Sequence, residues 1–150
     1  MTTEAKSAGP IDITGFLPTQ NYVLEMVSGD RKIGWSLTLC PSSHPKAKAY
    51  AEQSANRNLE RSRLIEAATI NGRPFIPEEK SADTARRDNV QWAVARVLEW
   101  TPISIDGKVY EFTDENATEL FIRPEMSGYY AQLTTALNDE TRFTQRFGKT

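Results

Sequence analysis

An Asp-Gly pair interrupts an alternating apolar run, Ile103-Ser104-Ile105-Asp106-Gly107-Lys108-Val109-Tyr110-Glu111-Phe112, and leaves that stretch little choice of structure. Asp-Gly between alternating residues is a strong signal for a two-residue β-hairpin turn, because both central positions of a type I′ turn need positive φ. The two-residue turn sets Ile105 opposite Lys108 and Ile103 opposite Tyr110. Ile103, Ile105, Tyr110 and Phe112 then share one face. A three-residue loop would pair Ile103 with Glu111 and divide the apolar set, and a slip of one residue moves side chains to the opposite face. The tight turn is therefore the predicted one.

The same period-two reading finds a second hairpin nearer the start. Tyr22, Leu24 and Met26 alternate with Val23, Glu25 and Val27, and Ile33, Trp35, Leu37 and Leu39 alternate with Gly34, Ser36, Thr38 and Cys40. The interval Ser28-Gly29-Asp30-Arg31-Lys32 reads as the loop between them. A lone hairpin is marginal, so the Trp35 face needs a helix or another chain over it. Pro41-Ser42-Ser43-His44-Pro45 then ends the strand and starts a helix, with Ser43 as the expected N-cap and Pro45 in the first turn. This helix should run to about Thr69 and stop before Asn71-Gly72-Arg73-Pro74. Its apolar stripe is thin (Ala47, Tyr50, Ala51, Leu59, Leu64, Ile65) and its middle almost wholly polar, so it packs lightly or projects.

Phe75 and Ile76 are candidate anchors in a connector ending at Pro77. A second helix is expected from Ser81 or Asp83 to Thr101. Val90, Ala93, Val94, Val97 and Leu98 fall on its i, i+3, i+4, i+7, i+8 face, and Pro102 closes it. After the Asp-Gly hairpin, Thr113 or Asp114 caps a short helix with Ala117, Leu120 and Phe121 inside. Pro124 opens a last helix with Met126, Tyr129, Tyr130, Leu133, Ala136 and Leu137 on its apolar side. The whole is an α+β fold: N-terminal β-hairpin, long polar helix, core helix, second β-hairpin, two C-terminal helices. Residues 1–20, rich in Thr, Ser, Gly and Pro, read as a flexible arm whose Ile11, Ile13 and Phe16 could dock on a neighbouring surface. Residues 21–150 read as a single domain closing in an aromatic-basic tail, Arg142-Phe143 and Arg146-Phe147.

Composition narrows the chemistry. The chain has 150 residues, a net charge of -2, one His and one Cys. It is long enough for a sizeable core. One Cys excludes an intrachain disulfide, and one His with one Cys cannot supply a Cys/His zinc site. No apolar run reaches the ~18–20 residues of a membrane span, and the start lacks the apolar stretch of a signal peptide, which points to a soluble intracellular protein. His44 beside Ser42 and Ser43 could act as a general base, but a loop position at a helix start accounts for it better. Cys40 could carry a lowered thiol pKa if it faced that helix N-terminus, and a packed small residue is the preferred reading. Glu111, Asp114, Glu115 and Glu119 are expected to form a solvated helix start rather than a metal site. The basic residues Lys46, Lys48, Arg57, Arg61 and Arg63 are diluted by Glu52 and Glu60, which disfavours nucleic acid. No enzyme activity is expected, and no catalytic, cofactor or metal residue is assigned.

The rings exceed what the apolar stripes require. Aromatic residues are enriched at binding hot spots, so Trp35, Trp92, Trp100, Tyr129, Tyr130, Phe143 and Phe147 are the candidate partner-binding residues.

Across about residues 33–147 the order of motifs resembles a family, the tail assembly chaperones encoded among the tail genes of long-tailed bacteriophages. The first half is similar in Ile33-Gly34-Trp35-Ser36-Leu37-Thr38-Leu39, a Pro/Ser turn and a polar Ala/Arg-rich helix. The second is similar in Trp92-Ala93-Val94-Ala95-Arg96-Val97-Leu98-Glu99-Trp100, the Asp106-Gly107-Lys108 turn and Phe112-Thr113-Asp114-Glu115-Asn116-Ala117. The turn Cys40-Pro41-Ser42-Ser43 lacks the Asp that often precedes the helix in such sequences, and residues 1–20 have no counterpart. The resemblance implies a non-enzymatic role in virion morphogenesis in the host cytoplasm. There the chain would bind the tape-measure protein and recruit tail-tube subunits. A homo-oligomer stays open, as do two other roles. One is a structural virion component such as a head–tail connector or neck protein. The other is a small phage regulator binding nucleic acid or a host protein.

Overall fold

A computed structural model describes residues 9–73 and 82–144. Phe75, Ile76 and Phe147 lie outside the described residues, as does the start of the arm.

Strands β1 (Tyr22–Ser28) and β2 (Arg31–Leu39) form the first hairpin. Its turn is tighter than the expected five-residue loop: Ser28 pairs with Arg31 across Gly29-Asp30. Between the Glu25–Ser36 and Val27–Lys32 pairs, β2 carries two more residues than β1. Gly34 sits in that bulge at φ +86°, a backbone conformation that glycine adopts without a side-chain clash. Thr101 completes the interrupted ladder. Its hydroxyl donates to the Gly34 carbonyl (3.2 Å) and accepts from the Ser36 amide (2.9 Å), while its own amide donates to the Ser36 carbonyl (2.9 Å).

Helix α1 (Pro45–Ile70) follows, then α2 (Ala82–Val94). Here one expectation is corrected. The core helix does not continue to Thr101; it stops at Val94, and β3 (Val97–Trp100) pairs antiparallel with β2, giving the sheet order β1-β2-β3. The cause lies in the register. Leu39 pairs with Val97 and Thr38 with Glu99, so Leu98 is an extra residue on β3. That bulge turns Val97 and Trp100 to the same side although they are three apart. Apolar residues at i and i+3 imitate a helix, and the free edge of β2 takes them as a strand. Arg96 fixes the join: its carbonyl accepts from the Cys40 amide (2.8 Å) and its Nε donates to the Cys40 carbonyl (2.6 Å).

Strands β4 (Ile103–Ile105) and β5 (Lys108–Tyr110) make the second hairpin in the predicted register, Ile103 with Tyr110 and Ile105 with Lys108. Asp106 (φ +51°) and Gly107 (φ +83°) form the turn, both with the positive φ of type I′. Helix α3 (Asp114–Phe121) is capped by Thr113, whose hydroxyl accepts from the Asn116 amide at 3.0 Å. The expected last helix is divided. A 3-10 turn over Pro124–Met126 leads into α4 (Ser127–Asn138), and a further 3-10 turn covers Glu140–Phe143. Asp139 makes the break, its carboxylate accepting from the Thr141 amide and hydroxyl and from Arg142 Nε. Those bonds hold the Asp139 carboxyl below its ordinary pKa, the Thr141 hydroxyl contributing most.

The buried residues form one cluster contributed by β1, β2, β3, β5 and helices α2, α3 and α4. Trp35 stands at its centre, stacked on Phe121 (5.8 Å) and edge-on to Trp100 (5.5 Å) and Tyr129 (5.7 Å). The arm joins this body at its root, where the Gln20 amide donates to the Phe143 carbonyl (2.7 Å) and Pro18 bridges to Thr144.

Candidate interaction surface

The seven rings nominated from sequence separate into three groups. Trp35, Trp100 and Phe143 are core residues, and this corrects their assignment to a partner surface. Each is claimed by neighbours: Trp100 donates its Nε1–H to the Tyr110 carbonyl (3.0 Å), and Phe143 packs edge-on to Tyr22 (6.2 Å) with Arg96 over its face (5.0 Å). The tail that carries Phe143 is likewise folded back rather than extended, Arg142 donating to the Tyr22 hydroxyl (2.8 Å). Tyr129 and Tyr130 are half-buried against the same cluster, and burial pushes the Tyr130 phenol up. Trp92 alone of the described six is exposed, at 40%.

The exposed apolar surface lies chiefly elsewhere. On α1 only Ala47 is fully buried, and Leu59, Leu64, Ile65 and Ile70 stand in solvent, Ile70 at 77%. On the arm, Ile11 (84% exposed), Ile13, Phe16 and Leu17 do the same. Leu59, Leu64 and Ile65 belong to the thin stripe that the sequence offers as a candidate surface alongside the rings. The signal was there, in a helix with too few apolar positions to make a buried face.

How α1 stays helical explains why it can stand alone. Its 26 residues include six Ala and no Gly, well beyond the ~12–15 residues below which an isolated helix is marginal in water. Both ends are capped. At the start the cap is His44, not the expected Ser43: its Nδ1 accepts from the Lys46 amide at 3.1 Å. The Pro41 carbonyl accepts from the His44 amide at 3.0 Å, closing the turn that sets His44 at the helix start. At the end, Gly72 (φ +68°) closes a Schellman arrangement, with Arg73 N–H to Ala68 O (2.8 Å) and Gly72 N–H to Thr69 O (3.2 Å).

One side chain ties the root of α1 to the body. Lys46 Nζ donates to the Val97 carbonyl (2.5 Å) and to Asp114 Oδ1 (2.6 Å) and lies 4.9 Å from the Phe112 ring centroid. Grooves open on either side of that root. One, of about 550 Å³, separates Gln53 and Arg57 from Arg87, Glu115 and Glu119 and is polar; an Arg87–Glu119 pair (2.8 Å) crosses its floor. The other, of about 390 Å³, runs between Ala47, Ala51, Ser54 and Ala55 on α1 and the indole of Trp92.

The reactive side chains have structural work. His44 is a helix cap. Cys40 is buried, and that burial pushes its thiol up, against the opposing pull of Arg96 and Lys46; the lowered thiol pKa weighed from sequence is not what its surroundings produce. Asp114 and Glu119 are paired to Lys46 and Arg87, and among the described residues no group of three His, Cys, Asp or Glu side chains converges on a metal position. Arg63 pairs along its own helix with Glu60 at 3.9 Å. No described helix is long and apolar enough to cross a membrane. No family model, curated protein or solved structure matches this chain.

Proposed function

We propose that this chain is a non-enzymatic phage tail assembly chaperone of the host cytoplasm, binding the tape-measure protein and tail-tube subunits during tail morphogenesis. The observation that carries the reading is the projecting α1. At 1.5 Å per residue its exposed stretch, residues 55–70, reaches about 24 Å beyond its root. Leu59 and Ile70 lie on one side of it, and Leu64 and Ile65 on others, at 100° per residue. A polar helix with aliphatic residues on several sides gains little from one flat surface and much from lying among other helices. A long helical partner chain that is insoluble alone supplies such neighbours. The exposed Trp92 beside the root of α1 adds an aromatic anchor, the residue type enriched at hot spots. The motif order across residues 33–147 supports the same role.

The test is co-expression with the products of the neighbouring tail genes. The tape-measure protein should stay soluble and co-purify with this chain, and Leu59→Asp with Leu64→Asp should abolish both effects. Purified particles should lack the protein. A tape-measure protein that precipitates with or without this chain defeats the proposal, and the chain's presence in finished particles replaces it with a permanent virion component.

A further inference from the structure

We propose that His44 is a proton-operated cap that sets how firmly the projecting helix is rooted. His44 is the chain's one histidine, and its ring nitrogen is the acceptor for the Lys46 amide at the first turn of α1. Ser, Thr, Asp and Asn, the usual N-caps, accept at every physiological pH. An imidazole does so only while neutral, because both ring nitrogens of the protonated form are donors. Protonation therefore withdraws the cap and also places a positive charge at the positive end of a 26-residue helix dipole, and the two effects act in the same direction. The charged groups around this turn are few. Lys46 and Lys48 come from α1 itself, Asp114 from the start of α3, engaged by Lys46, and Arg96 from the turn before β3, engaged by the Cys40 carbonyl. The carboxylate therefore already has a cation in Lys46. Since Lys46 supplies both the amide that His44 caps and the ammonium that ties α1 to β3 and α3, loosening the first turn loosens the tether. The cap is in place while the imidazole is neutral and absent once it is protonated.

The experiment is an NMR titration of the intact 15N-labelled chain between pH 5 and 8. The Lys46 amide should titrate with the same midpoint as the His44 ring. Its exchange protection, corrected for the intrinsic pH dependence, should fall by about five- to tenfold on the acid side, the worth of one N-cap. His44→Asn and His44→Asp both keep an acceptor at the cap, and in both the Lys46 amide should stop titrating over this range. A wild-type Lys46 amide that ignores the His44 transition overturns the proposal without any variant, and so does an unchanged Lys46 titration in His44→Asn. Neither outcome bears on whether the chain is a tail assembly chaperone.

Discussion

Two regions of this molecule use apolar residues in opposite ways. Around Trp35, three rings lie within 6 Å of one indole, and strands, helices and the tail all contribute to one sealed cluster. Along α1, four aliphatic side chains are scattered over several sides, only Leu59 and Ile70 sharing one, and almost none of that helix is buried. The rings first suggest adhesion because they are numerous, yet numerous rings are what a core of 150 residues with short strands uses to fill volume. The sparse aliphatic residues are the ones left in water. For this chain, exposure follows from whether an element offers a continuous apolar side, not from how sticky its residues are.

The comparison breaks if Trp35 proves dispensable. Trp35→Ala removes the ring on which Phe121, Trp100 and Tyr129 converge, and large-to-small changes of this kind cost about 3–5 kcal/mol. Against a typical total of ~5–15 kcal/mol, urea denaturation should show a transition moved far toward zero denaturant. The buried Trp35 Nε1 has no hydrogen-bond partner among the described residues, so the loss is one of packing and not of a polar contact. A smaller effect is expected at the boundary of the two regions. Lys46→Met keeps an unbranched apolar side chain but removes the ammonium with its bonds to Val97 and Asp114 and its contact with the Phe112 ring. Because the Asp114 carboxylate is mostly exposed, water recovers part of the interaction, and about 1 kcal/mol should be lost in the same assay. Far-UV circular dichroism should show α1 still helical, since its caps and composition are its own.

Cys40 sharpens the core side of the comparison by pH. Burial raises its thiol pKa, so the folded state favours the neutral form. A group raised in this way contributes fully below its ordinary value, 9.0, and loses that contribution as the pH climbs above it. The thiol should react slowly with a disulfide reagent at pH 8 in the folded chain and rapidly in urea. Above pH 9.0, Cys40→Ala should flatten part of the decline in stability. Fast labelling of the folded chain would place Cys40 outside the core.

What could be read beforehand divides along the same line. The Asp106-Gly107 hairpin was legible to the residue because turn chemistry and a one-sided apolar pattern agree, and the Asn71-Gly72 stop was legible because a Schellman cap needs a positive φ that glycine supplies. The third strand was not. Val97 and Trp100 share a face only because Leu98 is bulged, and that bulge exists only because β2 has a free edge, a fact about pairing partners rather than about local sequence. His44 in place of Ser43 was missed for a related reason: capping preference ranks residue types, while the turn at Pro41 decides which side chain reaches the Lys46 amide. At the candidate surface, counting rings pointed to the core, whereas the failure of α1 to assemble an apolar face was written in its spacing from the start.

The smallest expected effect on stability is also the one that best separates the two regions. Leu59→Asp with Leu64→Asp changes two side chains that are each more than half exposed on a helix whose caps lie many residues away. Little buried area is lost and no partner is left unpaired. Asp lowers helix propensity by only a few tenths of a kcal/mol per site relative to Leu, so the urea midpoint should stay within about 0.5–1 kcal/mol of wild type. If α1 instead packed on the body in solution, the same pair would bury two carboxylates and the loss would rise to several kcal/mol. A near-silent denaturation curve together with a lost tape-measure complex would locate the adhesive surface on α1. A steep loss of stability would mean that the projecting helix folds back, and the contrast between the two regions would vanish with it.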